Sequence, residues 1–424
     1  MSEPVVHYQR IVVKLGTRLV NSDETHFNTP MISGLAREMV EMTARGREFI
    51  LVSSGAIGMG MRVLGWKKRP AALAEKQACA AIGQGHLMHC YHGVFGLLGK
   101  PVAQVLLTRD GLDVRSRYLH ARNTLETLLS LGVVPIVNEN DTVSTEELGF
   151  SDNDQLSALV ACKMDADLLV LLSDVDGLYR DPQDPATLVP EITAVTPELV
   201  GLAKGARDHN SVGGMCTKLE AARTCLLAGL HAVIANGHRP GILTELVEGA
   251  GRGTWFRGNS CPLSSRKRWI AFGKTASGGR VVVDAGACRA LVEEGRSLLP
   301  SGIVRVEGRF PSGQLVAVCD ETGVEIARGL VNYSSQELSA VKGNSTAAIA
   351  ALLGKRKSYA AIHRDNLVVW WRRGRVRTAH RARHLLDVPR LRTGVHGAAV
   401  RGANPTRSGG NAVVTETRSH ESNL

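Results

Sequence analysis

Leu168-Leu169-Val170-Leu171-Leu172 runs without a polar residue and then breaks into Ser173-Asp174-Val175-Asp176-Gly177. A strand with one wet face alternates apolar and polar side chains, whereas a strand covered on both faces reads as an unbroken apolar run. Five more segments have this character: Ile11-Val12-Val13, Phe49-Ile50-Leu51-Val52, Val105-Leu106-Leu107, Val133-Val134-Pro135-Ile136-Val137 and Ala232-Val233-Ile234. Between them lie helical stretches at Ile32 to Ala44, Ala71 to Leu98, Leu119 to Leu131, Asp154 to Lys163 and Thr217 to Ala228. Strands alternating with helices predict an α/β fold, a three-layer αβα sandwich around a mostly parallel sheet. Such sheets bind ligands beyond the C-terminal ends of their strands.

The chain has 424 residues, 44% of them hydrophobic, enough for two domains and too apolar for broad disorder. From Trp255 to Gly279 it turns basic and Gly/Ser-rich. Short strands follow at Val281–Val283, Ile303–Val306, Gln314–Val318, Ala327–Val331 and Asn366–Val369, with a helix near Ala287 to Glu294. These predict a small β-rich barrel domain. The expected plan is therefore an α/β domain over 1–262, a linker over 263–279, a β-rich domain over 280–369 and a tail over 370–424.

The formal charge of +11 at first suggests a nucleic-acid partner, but it is unevenly spread. The tail holds 11 arginines and three acidic residues, while residues 1–369 carry a net charge of only +3. Aromatic content is 4%, few for a protein that stacks on bases. The tail lacks periodicity and is expected to be disordered. It reads as a lineage-specific extension or a shifted reading frame. No basic-then-apolar leader and no window of 18 uninterrupted apolar residues is present, so a cytoplasmic protein with no membrane span is expected. Eight cysteines without a Cys-x-x-Cys pair read as reduced thiols.

Several strands run into polar, ligand-ready groups. The first continues into Lys14-Leu15-Gly16-Thr17, an ammonium beside a glycine that lets phosphate approach the backbone, unless Lys14 is a plain surface lysine. Ser53-Ser54-Gly55 follows the second and opens a helix, either as an anion site or as an ordinary cap. Asn138-Glu139-Asn140-Asp141 is poor core material and suits recognition of an amino or hydroxyl group, or else a solvated loop. Ser151-Asp152-Asn153-Asp154 exceeds what capping a helix requires. Val212-Gly213-Gly214-Met215-Cys216-Thr217-Lys218 can cradle phosphates with backbone N–H groups and a point charge.

Three other signals are set aside. Phe272-Gly273-Lys274-Thr275 mimics the end of a P-loop, but Arg268 occupies the upstream glycine position. His363-Arg364-Asp365 mimics a protein-kinase catalytic loop, but Trp370 stands where the asparagine belongs. His86, His89 and His92 have helical spacing without a carboxylate partner, so no protein metal site is expected.

Taken in order, these strand ends resemble the amino-acid kinase family, and within it the glutamate 5-kinase (gamma-glutamyl kinase) branch. The matching pieces are residues 12–17, 53–57, 138–141, 152–154, 173–179 and 213–218. The match continues through Arg266-Lys267-Arg268-Trp269, the run from Leu298 to Ile303, and His363-Arg364-Asp365. It covers about residues 8–369 and makes the second domain similar to a PUA domain. The resemblance implies ATP-dependent phosphorylation of the L-glutamate side-chain carboxylate, the first step of proline synthesis, with proline as feedback inhibitor. It implies that Lys14 and Lys218 meet the transferring phosphate, that Asp154 orients them, and that Ser54, Asp141 and Asn153 hold glutamate. ATP would lie on Lys14, Ser173, Asp174 and the turn Val212, Gly213, Gly214, Met215, Cys216, Thr217 and Lys218, with Mg²⁺ held mainly through its phosphates. A homodimer or homotetramer is implied as well. Val212 and Cys216 depart from the family pattern, which predicts altered nucleotide affinity. The rival readings are another acceptor within the family (acetylglutamate, aspartate, carbamate or a nucleotide), or RNA binding by the PUA-like domain and the tail.

Overall fold

The computed structural model describes residues 7–22, 26–143, 153–205, 214–258, 265–273, 275, 278–344, 349 and 359–369. The first sheet has eight strands in the order β3-β4-β2-β1-β5-β7-β8-β6. Its centre is β1 (Arg10–Leu15), followed in the chain by α1 (Thr17–Val20), α2 (Thr29–Ala44) and β2 (Glu48–Val52). Next come α3 (Ala56–Leu64), α4 (Leu73–Gly96), β3 (Val102–Leu107), α5 (Arg109–Asp113), α6 (Arg115–Ser130) and β4 (Val134–Glu139). The second half runs through α7 (Asn153–Lys163), β5 (Leu168–Ser173), β6 (Glu191–Ile192), α8 (Pro197–Gly205), α9 (Met215–Ala228), β7 (His231–Asn236), α10 (Ile242–Val247) and β8 (Thr254–Phe256).

Strands β3, β4, β2, β1, β5 and β7 are all parallel, which brings their C-terminal ends to one edge. β8 runs antiparallel to β7 and β6 pairs parallel with β8, so these two strands at one edge run against the other six. Trp255, expected to begin a basic boundary stretch, is instead the middle residue of β8 and packs in the core.

Side-chain parity sorts the sheet into its two faces. Ile11, Val13 and Leu15 of β1 and Leu168, Val170 and Leu172 of β5 pack with α2, α4 and α10. Val12, Leu169 and Leu171 face the other way, onto α7 and α9. Each such side chain, fully buried, contributes roughly 1.5–3 kcal/mol. Lys14 has the parity of Val12, so β1 directs its ammonium to the layer that holds α7 and α9.

On the opposite layer α3 and α4 touch backbone to backbone. A Cβ added at Gly83 would lie 1.8 Å from the carbonyl oxygen of Ala56, and one at Gly60 would lie 1.9 Å from that of Cys79. The glycines thus seat α3, which Ser53 and Ser54 shortly precede, directly on α4.

The stretch read as a linker contains a packed helix, α11 (Ser265–Phe272). Its Trp269, Ile270 and Ala271 are buried with Tyr118 of α6 on one side and Leu315, Leu330 and Val368 on the other. Those three belong to a second sheet made of β9 (Arg280–Val283), β10 (Ile303–Glu307), β11 (Leu315–Cys319), β12 (Glu325–Leu330) and β13 (Leu367–Val369). Its order is β10-β9-β11-β12-β13, with only the β9–β11 pair parallel. Helices α12 (Ala285–Val292) and α13 (Ser335–Val341) accompany it. Asp284 caps α12 by accepting from the Ala287 N–H at 2.7 Å, and Ser334 with Glu337 forms a capping box on α13. The arginine-rich tail lies outside the described residues.

Among the described residues no helix is long and apolar enough to cross a membrane. Cys79, Cys90, Cys162, Cys216, Cys225, Cys288 and Cys319 carry free thiols, and Cys261 lies outside the described residues.

The α3–α4 contact predicts opposite outcomes for two glycine substitutions in one helix. Gly83→Ala must push α3 away and should lower the unfolding free energy by about 1–3 kcal/mol. Gly93→Ala, which meets nothing within 4 Å, should raise it by about 0.5–1 kcal/mol through helix propensity. Urea unfolding of the two variants checks both signs.

Candidate active site

At the C-terminal edge of the sheet, β1 supplies Lys14, α7 supplies Asn153 and Asp154, and α9 supplies Thr217 and Lys218. The five are brought there by different periodicities: strand parity for Lys14, and first-turn positions of two helices for the rest. Lys14 Nζ pairs with Asp154 Oδ1 at 2.6 Å. Lys218 Nζ stands 3.6 Å from Asp154 Oδ2, and the Thr217 hydroxyl donates to that same oxygen at 2.6 Å. All three charged groups are buried, with 5% exposure for each lysine and 1% for Asp154. Burial pushes the Asp154 carboxyl up, but Lys14, Lys218 and the Thr217 hydrogen bond outweigh it and hold the group below the usual carboxylate range. Among the described residues, two ammonium groups face this one carboxylate, a local excess of positive charge that an anion can approach.

Asn153 extends from the same turn into a buried amide network. Its Nδ2 donates toward the Ser53 carbonyl at 2.9 Å, the Ser54 hydroxyl at 3.0 Å and Asn138 Oδ1 at 3.0 Å. Asn138 Nδ2 in turn donates to Gln84 Oε1 at 2.8 Å, and the Ser53 and Tyr91 hydroxyls meet at 2.8 Å. Gly55, with φ at +101°, makes the left-handed turn that allows Ser54 to precede α3 so closely. Among the described residues, neither Asn153 Oδ1 nor Asp141 Oδ1, both buried, has a hydrogen-bond partner. Buried polar atoms of this kind are costly in isolation and suit an incoming ligand.

Asp141 opens a short 3₁₀ turn, Asp141–Val143, just past β4. Burial, partly offset by Arg69, raises its carboxyl to about 6. A cavity of about 320 Å³ lies beside it, lined by Ala80, Gln84, Gln104, Leu106, Glu139 and Asp141. That cavity does not reach Lys14, Asp154 or Lys218. The ionised group marks the chemistry, and the cavity gives space at the Asp141 end.

On the other flank Ser173 ends β5 and Asp174 follows it. The Ser173 hydroxyl donates to Asp174 Oδ1 at 3.1 Å, and Arg18 NH1 pairs with Asp174 Oδ2 at 2.7 Å. Burial of Asp174 is outweighed by its hydrogen bonds to Arg18 and Ser173, which hold its carboxyl low. Gly214 is the N-cap of α9, and Met215 and Cys216 form its half-buried first turn, where N–H groups have no intrahelical acceptor. Val212 and Gly213 lie outside the described residues.

The structure thus gathers Lys14, Asp154, Lys218 and Thr217 in one group and Ser54 with Asn153 in a second, adjoining through α7. Asp141 lies at the cavity, and Ser173 with Asp174 lies across β1 from β2. Three contributors carried no signal in the sequence: Gln84 and Tyr91, which hold the amide network from α4, and Arg18, which braces Asp174. His86, His89 and His92 face solvent from α4, and no group of three metal-ligating side chains forms among the described residues.

A family model described as the amino acid kinase family matches residues 9–236, and a PUA domain model matches residues 279–353. The chain belongs to the amino acid kinase family. Relatives of this amino acid kinase include a glutamate 5-kinase of Moorella thermoacetica, 47% identical, covering 85% of this chain and 96% of its own. One from Geobacter sulfurreducens is 46% identical, covering 85% and 97%. Another from Gloeobacter violaceus is 50% identical, covering 84% and 98%. A solved UMP kinase from Bacillus anthracis superposes at a TM-score of 0.41 and 19% identity, over 60% of this chain and 97% of that one. The chain is therefore a kinase, a phosphotransferase with a C-terminal PUA domain.

The buried ion group of this amino acid kinase also predicts a dependence of stability on acid. A folded-state pKa depressed below about 3.9 contributes stability that is complete above that value and is lost as pH falls through the folded value. Asp154→Asn leaves two buried ammonium groups without their anion and should cost about 3–5 kcal/mol at neutral pH. It should also flatten the acid limb of the stability profile below about pH 4. Chemical unfolding at a series of pH values measures both effects.

Proposed function

We propose that this kinase transfers the γ-phosphoryl group of ATP to the side-chain carboxylate of L-glutamate, giving L-glutamyl 5-phosphate, the opening step of proline synthesis. The observation that carries the reading is the buried pair of lysines, Lys14 and Lys218, flanking Asp154. Phosphoryl transfer between two anions is slowed above all by charge repulsion and misalignment. A carboxylate oxygen attacks the γ-phosphorus as the bond to the ADP oxygen breaks, and the acceptor has no proton to lose. No general base is needed, and two ammonium groups flanking the phosphoryl answer the charge requirement. The names of the relatives support glutamate as acceptor.

In this reading Asp154 orients the lysines. Ser54, Asn153 and Asp141 hold glutamate, with the ionised Asp141 on its ammonium group. Ser173, Asp174 and the backbone of the turn from Val212 to Lys218 hold ATP. Bound Mg²⁺ supplies further charge neutralisation on the phosphates. The Asp154 oxygens already face Lys14 and Thr217, so the residues present fit an ion carried by the nucleotide rather than one held by this carboxylate. Proline, which shares the amino and carboxylate groups of glutamate, would inhibit at or near the same subsite. The reading implies a cytoplasmic enzyme, assembled as a homodimer or homotetramer.

ADP release should depend on glutamate, fall on adding proline, and stay near background with acetylglutamate, aspartate, carbamate or UMP as acceptor. Activity with one of those acceptors in place of glutamate refutes the assignment. Lys218→Ala should lower kcat by roughly 10²–10³-fold in a folded protein. Unchanged turnover removes Lys218 from the chemistry.

The raised Asp141 carboxyl gives a pH signature. The group is ionised above about 6 and protonated below it. Since kcat/KM reports groups of the free enzyme, kcat/KM for glutamate should fall as pH drops through about 6. Asp141→Asn should lower kcat/KM at neutral pH and remove that limb.

A further inference from the structure

Two backbone groups set the orientation of three buried amides. The Glu139 N–H donates to the Asn138 side chain at 2.9 Å, so the atom it meets is the oxygen, Oδ1. The Asn138 nitrogen then faces Gln84, and only Gln84 Oε1 can answer it, at 2.8 Å. Turning the Gln84 amide over would set donor against donor. At the far end the Ser53 carbonyl and Asn138 Oδ1 are both acceptors, which fixes Asn153 Nδ2 toward them at 2.9 and 3.0 Å. The chain of amides therefore has a direction, and at its Gln84 end Nε2 is left over. That nitrogen is buried without an acceptor among the described residues, on a side chain only 8% exposed.

A buried donor left unpaired is costly as structure and suits a ligand that brings an acceptor. Gln84 lies in the wall of the cavity that Asp141 also lines. Asp141, 7% exposed, brings to that cavity a carboxylate whose Oδ1 likewise lacks a partner among the described residues. The other amide and hydroxyl donors in this wall, Gln104, Asn140 and Thr142, are more open to water than Gln84. A buried acceptor and a buried donor on one cavity match the ammonium and the carboxylate that an α-amino acid carries on one carbon. The cavity does not reach Lys14 or Lys218, so it takes the α-carbon end of the substrate while the side-chain carboxylate extends to the lysines.

We propose that Gln84 is a specificity-determining residue: its Nε2 donates to the α-carboxylate of the amino-acid substrate, beside Asp141 on the ammonium group. The proposal rests on the glutamate reading above, which names no partner for that carboxylate. It also gives the amide network a purpose. Asn138, itself oriented by the Glu139 N–H, keeps Gln84 from turning over and presenting an oxygen to an anion.

The test uses Gln84→Met, similar in length but without a donor, and two substrates. L-Glutamate carries an α-carboxylate, whereas γ-aminobutyrate has the ammonium and the phosphoryl-accepting carboxylate without it. In the variant, kcat/KM for glutamate is expected to fall roughly 10–100-fold, the scale of a hydrogen bond to a charged group. KM for ATP, and the low kcat/KM for γ-aminobutyrate, are expected to stay within about threefold of wild type. An equal fall for both substrates shows that Gln84 serves only the amide network and overturns the proposal, as does an unchanged kcat/KM for glutamate. A crystal structure of the wild-type protein with L-glutamate tests the same contact without a variant. An α-carboxylate oxygen is expected at about 2.9 Å from Gln84 Nε2. The side-chain carboxylate in that place, or an α-carboxylate held elsewhere, overturns the proposal. A wild type without glutamate-dependent ADP release removes the kinase reading and this proposal together. Wild-type turnover with an equal fall for both substrates removes this proposal alone.

Discussion

Burying a carboxylate between two ammonium groups is the constraint to which the α/β domain is arranged. Removing three charges from water costs several kcal/mol per ion, recovered only where geometry is tight and the remaining polar atoms are engaged. Here the Asp154 carboxylate has Lys14 on one oxygen and Thr217 on the other, with Lys218 within electrostatic reach. The group is expensive as structure and, among the described residues, carries an excess positive charge. A pair with matched charges would have served stability better. An imbalance of this sign suits a site that receives anions.

The sheet supplies the geometry. β1 lies at the middle of the strand order, between β2 and β5, so its C-terminal end is flanked on both sides. Parity turns Lys14 toward α7, a helix whose ten buried residues leave only Gln155 partly exposed. A helix gripped along its whole length can hold Asn153 and Asp154 in its first turn with little freedom. Asn153 joins the amide network reaching Ser54 and Gln84, and Asp154 joins the lysines. One rigid element therefore fixes the spacing between two neighbouring pockets of chemistry.

Much of this was legible in the sequence because it is written locally. Unbroken apolar runs mark strands buried on both faces, and the α/β layering follows from their alternation with helices. Lys14, Asp154 and Lys218 stood out as polar residues where a buried strand or a helix begins or ends. The bond from Thr217 to Asp154 spans 63 residues, and that from Asn138 to Gln84 spans 54. Contacts of that kind leave no periodicity, so neither the Thr217 hydroxyl nor Gln84 could be paired in advance. The two- and three-residue strands β6 and β8 were missed because they are shorter than any pattern. Helix α11 was hidden by its basic composition, since Arg266, Lys267 and Arg268 mask the apolar Trp269 and Ile270 that follow.

That helix changes how the two domains should be thought of. The two family matches stop at residue 236 and begin again at residue 279, and α11 lies between them. Here Trp269, Ile270 and Ala271 lie against Tyr118 and also against Leu315, Leu330 and Val368. Arg268 reaches back to Asp165, just past α7, at 2.9 Å. No cut between the segments leaves both halves dry: wherever it is made, one half keeps a tryptophan and an isoleucine that have lost their cover. The boundary drawn on the sequence is, in the folded molecule, a seam filled with core.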